Sequence, residues 1–377
     1  MNVRTLRTIG VATAAALWVC AWAPTFAHRT VISQYTYSEH VRPILEARCG
    51  GCHRGTDAIS VPLLRYEEAR RQSWRMQQEL LSGRMPPWDA DESGEPLKGA
   101  ARLTPHEFDV LMTWAAGGTP EGVATAPGVG PADPVPLRVW PLGEPDVVLT
   151  LPAVDTSGDT ATSQVREFSL PTAALRGRSL RAVDVRPGTA AVVRRAEFAI
   201  VSAAGDQVVG VWLAGERSIS PEGAAFAVPR GATLRVRLVY QRPASPTGRP
   251  LMNRSALGLY LAPKDARPVE SRLLAEGPTT IPAPARALAW RVTSAPPDVV
   301  VRLALLLPDG TERLLARARP DADWPRRHVF ERPVDLPPGS RLVLSSAPSP
   351  LTMLHTLLGR PASGAALPVR VAIDLTR

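Results

Sequence analysis

The sequence predicts a multidomain chain in which an all-α domain is followed by an all-β region of one or two antiparallel sandwiches. Three changes of texture along 377 residues carry that expectation. Residues 35–118 set apolar side chains at helical spacing, and residues 119–139 are rich in Pro, Gly and Ala without a period. Residues 140–377 are short Val- and Leu-rich runs broken by Pro and Gly. A chain of this length holds two or three cores rather than one.

The N-terminus reads as an export signal. Arg4 and Arg7 precede an apolar run from Ile9 to Ala23, and Thr25-Phe26-Ala27 offers a small-residue cleavage site. The expected signal peptide is therefore residues 1–27, the mature chain begins at His28, and the location is periplasmic. An uncleaved anchor is the alternative, but the run is short for a membrane span. Val19 before Cys20 is bulkier than a lipoprotein site calls for.

Three helices are expected within residues 28–118. Ser38 is a candidate N-cap for a helix bearing Val41, Ile44 and Leu45 and running towards Cys49. A second spans about Tyr66 to Leu81, with Gly83 as its stop. The third carries Thr104 as N-cap, Pro105 at the first position and Glu107 closing a capping box, before Phe108, Leu111, Met112 and Trp114, and ends at Gly117-Gly118. Five prolines make residues 119–139 an extended linker. Strand-like runs follow at Asp146–Leu151, Ala190–Val201, Gln207–Leu213, Thr233–Tyr240, Ala256–Leu261, Val299–Leu307, Arg341–Ser345 and Val369–Leu375. Turns such as Pro308-Asp309-Gly310 and Pro337-Pro338-Gly339 separate them. Two sandwiches, residues 140–263 and 264–377, are the more economical division of this region.

Cys49-Gly50-Gly51-Cys52-His53 is the strongest chemical signal. Once the signal takes Cys20 away, only Cys49 and Cys52 remain, which leaves no disulfide scaffold and too few thiolates for a zinc site. On one helical turn both thiols reach the vinyl groups of a haem, and the next imidazole reaches its iron. One covalent haem c, held by Cys49, Cys52 and His53, is the expectation, and it makes the first domain a c-type cytochrome. Met85, 32 residues after His53 in Arg84-Met85-Pro86-Pro87-Trp88, is the expected sixth ligand: prolines stiffen its loop, and a thioether suits an electron carrier. Met76 and Met112 lie within helices, where packing is the default, and His40 and His106 near helix starts. Trp88, Trp74 and Tyr66 are candidates either to wall the haem or to serve as ordinary core.

The formal charge of +9 falls to +7 without Arg4 and Arg7. Residues 28–122 hold 11 Lys and Arg against 13 Asp and Glu, while residues 123–377 hold 31 against 22. Export and scattered charges argue against nucleic acid; a merely solvated surface is the first account of the balance, and a redox partner with an acidic surface or an anionic membrane surface is the alternative.

The run from Tyr37 to Gly122, with His-Val-Arg-Pro-Ile-Leu, Cys-Gly-Gly-Cys-His, Pro-Leu-Leu-Arg-Tyr-Glu-Glu-Ala and Arg-Met-Pro-Pro-Trp, resembles the haem domain of a bacterial family. That family joins a class-I-like cytochrome c to a copper type II, ascorbate-dependent monooxygenase-like module, so the resemblance implies a first domain of the class-I-like kind. Trp140-Pro141-Leu142-Gly143-Glu144-Pro145-Asp146, Gly258-Leu259-Tyr260-Leu261-Ala262-Pro263 and Leu307-Pro308-Asp309-Gly310-Thr311-Glu312 are similar to it as well. The resemblance implies two jelly-roll-like sandwiches, as in peptidylglycine and dopamine monooxygenases, each with a copper. Here the copper ligands are missing. Val193-Arg194-Arg195 stands where the family has a His-His pair, Val239-Tyr240-Gln241 where it has His-Tyr-His, and residues 294–299 where it has His-Met-His. A guanidinium has no lone pair to donate. His328 and His355, with Met252 and Met353, do not rebuild two sites. His328, beside Arg326 and Arg327, is expected at the surface and His355 in a structural role. No copper and no catalytic residue are therefore expected. The reading favours a non-catalytic electron carrier whose β region is a docking scaffold. The alternatives are a haem- and copper-dependent monooxygenase with a diverged site, and a haem sensor with an open iron position.

Overall fold

A computed structural model describes residues 32–53, 61–99, 102–123, 140–156, 163–175, 177–189, 192–214, 223–241, 252–349 and 367–377. The expected signal peptide, most of the linker, Met353 and His355 lie outside them.

The structure overturns the expected fold class. Among the described residues, nineteen strands stand against three α-helices: Arg42–Ile44 (α1), Tyr66–Leu81 (α2) and Pro105–Ala116 (α3). α1 is a single turn flanked by the π-helical turns Tyr37–Val41 and Leu45–Cys49. An all-α class-I-like cytochrome c domain is not formed. The physical reason lies between α2 and α3, where Pro86, Pro87, Gly94, Pro96 and Gly99 exclude helix. That stretch leaves the helices and joins the strands.

Local chemistry accounts for the two longer helices. At α3, Glu107 N donates to Thr104 Oγ1 at 3.1 Å and Thr104 N donates to Glu107 Oε2 at 2.7 Å, so the capping box forms. Arg65 N donates to Glu68 Oε2 at 3.0 Å at the start of α2, and Gly83, at φ 67°, follows its end. Ser38 is not an N-cap: the first helical turn begins at Tyr37, after an extended Thr36 with no side-chain cap. Tyr37, Val41, Leu45, Met76, Leu80, Val110, Leu111 and Trp114 share a small core. Residues 119–121 turn back onto it, with Tyr37 N and Trp114 Nε1 both donating to Pro120 O.

The strands form two face-to-face pairs of sheets and one small ribbon. In the first pair a five-stranded sheet has the order β1 (Val147–Thr150), β10 (Ala256–Leu261), β4 (Ser179–Arg186), β7 (Ala224–Ala227), β11 (Arg267–Pro268). It shares a core with the sheet β3 (Ser163–Pro171), β8 (Thr233–Gln241), β5 (Val193–Ser202), β6 (Gly205–Leu213), through Val183, Phe198, Val236 and Leu257. The ribbon pairs β2 (Val154–Asp155) with β9 (Met252–Asn253). The second pair stacks β12 (Glu270–Ala275), β19 (Arg370–Thr376), β14 (Ala285–Ser294), β17 (His328–Leu336) on β13 (Gly277–Thr280), β18 (Arg341–Pro348), β15 (Val299–Leu306), β16 (Glu312–Ala318). Trp290, Leu303, Phe330 and Ile373 fill its core.

Residues 86–99 form a strap across the open side of this second pair. β16 and β17 are the edge strands of its two sheets, and the strap bridges both, Ala90 to Ala318 and Leu97 to Phe330. Asp91 N donates to Arg317 O and Glu95 N to Leu315 O, each at 2.9 Å, while Lys98 N donates to Val329 O at 2.8 Å. Trp88, Ala90 and Leu97 thereby enter the C-terminal core, and two strand edges that would otherwise invite foreign pairing are covered. Gly94 is required by closeness, since a Cβ there would lie 2.5 Å from Leu315 O.

Candidate haem attachment site

Cys49, Cys52 and His53 are drawn into one turn. Cys52 N and His53 N both donate to Cys49 O, at 3.1 and 3.0 Å. Neither cysteine is in a disulfide. Cys49 packs against the helical core, and burial, reinforced by Cys52 and Glu107, pushes its thiol up to about 12. Cys52 Sγ donates to Ala214 O at 3.1 Å, which seats the motif against the end of β6. Nothing in the sequence announces that contact between residues 162 positions apart.

His53 is held through one ring nitrogen. Its Nδ1 lies 2.7 Å from Val61 O, and a carbonyl only accepts, so Nδ1 carries the proton and Nε2 keeps its lone pair. Burial lowers the ring's pKa while the Val61 bond opposes that shift, so the imidazole is neutral at pH 7. A ring fixed through one nitrogen by a backbone carbonyl is the arrangement in which histidines bind metals. Two unbridged thiols and this imidazole fit a covalently held haem.

Met85 stands on a separate segment, half-buried at the root of the strap, with its N–H donating to Glu79 O at 3.3 Å. Met76 and Met112 pack in the helical core. Of the aromatics considered for the haem wall, only Tyr66 belongs to that core. Trp88 packs into the second sandwich, and Trp74 points to solvent.

The residues at the copper-ligand positions of the resembled family bind one another or neighbouring main chain. Arg194 donates to Gln241 Oε1 at 2.7 Å and lies 4.5 Å over the Trp324 ring, while Arg195 donates to Ala322 O at 2.8 Å and Asp323 O at 3.1 Å. His328 corrects its expected surface position. It is 2% exposed, Nε2 meets Asp89 Oδ1 of the strap at 2.8 Å, and the ring stacks on Trp290 at 4.3 Å. The arginines beside it do not signal solvent, because Arg326 covers Trp88 and Arg327 pairs with buried Asp374. Met252 is exposed on β9. Among the described residues no three His, Cys, Asp or Glu side chains gather as a metal site, and no helix is long and apolar enough to cross a membrane.

No family model matches the chain, and no curated protein matches it. Among solved structures, the major capsid protein P2 from bacteriophage PM2 is similar over 61% of this chain and 97% of that one, at 11% identity and a TM-score of 0.22. A likeness that weak carries no argument about fold or function.

Proposed function

We propose that this chain is a periplasmic c-type cytochrome with one haem attached through Cys49 and Cys52, His53 as proximal ligand and Met85 as distal ligand, and that it carries electrons to a redox partner. The observation that supports this best is the neutral His53 ring, held through Nδ1 by Val61 O and adjoining two unbridged thiols. The haem, when bound, supplies an iron that cycles between two oxidation states without substrate chemistry. The chain's own part is to fix the imidazole, shield it in part from water and seat Cys52 on the first sandwich. The test is a denaturing gel stained for haem peroxidase activity, with one haem per chain expected. Extraction of the haem by acid–acetone would show that it is not covalent and would overturn the assignment.

Met85→Ala is expected to abolish the sulfur-to-iron band at the red end of the oxidised spectrum and to lower the reduction potential, because the thioether favours ferrous iron. An unchanged spectrum would assign the distal position to another group and favour the sensor reading.

The β region acts in this proposal as a scaffold and carries no copper. Arg194 and Arg195 bring fixed positive charge and no lone pair to the first ligand position, and Gln241 is engaged by Arg194. Calorimetric titration with cupric ion should show no stoichiometric binding. Sub-micromolar binding of one or two ions per chain would restore the monooxygenase reading.

A further inference from the structure

The outer face of α2 carries an apolar pair in a basic surround. Trp74 is 71% exposed and Leu81 64%, and their spacing of two helical turns puts them on one face. Arg70, Arg71, Arg75 and Arg84 flank them. Arg70 pairs with Glu67 at 3.1 Å and Arg84 with Glu79 at 2.7 Å, whereas Arg71 and Arg75 form no ion pair among the described residues. This basic concentration arises in a part of the chain, residues 28–122, where acidic residues outnumber basic ones. Inward-facing Ala69, Met76 and Leu80 already hold the helix in place, so neither Trp74 nor Leu81 is needed for the fold. Glu67, also two turns from Trp74, lies on the same face and pairs with Arg70, and an exposed tryptophan flanked by Arg70, Arg71 and Arg75 has the composition of a binding hot spot.

We infer that this face of α2 is the docking surface for the redox partner, a protein with an apolar centre and an acidic rim. The inference rests on the haem reading above and adds where the partner sits. α2 runs between the two segments that bear the proposed iron ligands: Leu63 N, just before it, donates to His53 O, and Met85 follows its end. A partner seated on Trp74 therefore contacts the one element joined to both.

The test uses the full haem-loaded chain and an acidic blue-copper protein as probe. The ferrous chain gives up one electron and becomes ferric as the cupric probe becomes cuprous, and stopped-flow absorbance follows both. Arg71→Glu with Arg75→Glu should slow the bimolecular rate about tenfold at low salt and flatten its salt dependence. Trp74→Ala should weaken binding about tenfold while leaving the salt dependence in place. Arg332→Glu, at an exposed position of β17 outside α2, should change neither by more than about twofold, because a charge beyond the docking face is screened. Equal rates for the parent and the α2 variants would overturn the inference. So would Trp74-dependent binding to vesicles of anionic phospholipid, or Trp74-dependent dimers in sedimentation, since each gives the face another occupant. Calorimetry with the probe already cuprous reads docking without electron transfer. Binding that survives in a chain found to lack haem would sink the cytochrome reading and keep the surface.

Discussion

Replacing both Cys49 and Cys52 by alanine is expected to remove every trace of covalent haem while leaving the β region folded. In the proposed attachment each thiol would contribute one thioether, and apart from Cys20 in the expected signal peptide the sequence has no other cysteine to take its place. The structural cost is small: Cys49 lies at the margin of the helical core, and the bond from Cys52 Sγ to Ala214 O is a weak thiol donor's. Loss of that bond costs about 1 kcal/mol at most. Haem staining and intact mass should show the apo-chain alone, and far-UV circular dichroism should stay strand-dominated. A stained band surviving in the double variant would mean that the haem, if present, is attached elsewhere.

Asp374→Asn is expected to destabilise the second sandwich by about 3–5 kcal/mol, the usual cost of leaving a buried charge without its partner. Asp374 accepts from Arg327 Nε at 2.7 Å in a pair whose side chains are 8% and 6% exposed, and it also bonds Ser271. Arg291 lies close by, its guanidinium pKa depressed by burial and supported by Asp374. The amide keeps the shape but removes the charge facing both arginines. Urea unfolding followed by circular dichroism measures the loss. A change below about 1 kcal/mol would mean that water reaches the pair and screens it. Arg327→Met combined with Asp374→Leu should recover only part of the stability, because the Arg327–Asp374 pair then strands neither of its own charges while Arg291 still loses its carboxylate.

The parts of the fold that could be read in advance are those whose cause is local. Thr104, Pro105 and Glu107 determine the start of α3 within one turn, and Gly83 ends α2 by its own backbone preference. Runs such as Thr233–Tyr240 and Ala256–Leu261 are apolar enough to be strands in any context, and both are. β3 and β17 escaped notice because their sequences dilute the pattern: Arg166-Glu167 interrupts one, and Glu331-Arg332-Pro333 the other. Helical spacing in residues 35–118 said nothing about what residues 86–99 would pack on, since Ala318 and Phe330 lie more than two hundred positions later. That is why an all-α domain was expected and is not formed. His328 failed similarly, because charged neighbours look like a surface until Asp374 and Trp88 arrive to bury them. At the candidate site Cys49, Cys52 and His53 stood out within five consecutive residues, whereas Val61 and Ala214, which hold two of them in the fold, did not.

The strap also imposes a calendar on biogenesis. Its residues emerge near the beginning of synthesis, but the edges that receive it, β16 and β17, emerge near the end, and pairings so distant in sequence form slowly. Until they form, the segment beyond Met85 has no strand edges to pair with. The finished fold, by contrast, packs Cys49 against the helical core and holds its thiol protonated. In the haem reading proposed above, the interval before the C-terminal strands arrive would be the window for loading the cofactor, with closure of the last sandwich following it. Cutting the chain at the linker would separate two pieces that share a single core, leaving the first with an unseated strap and the second with two bare edges.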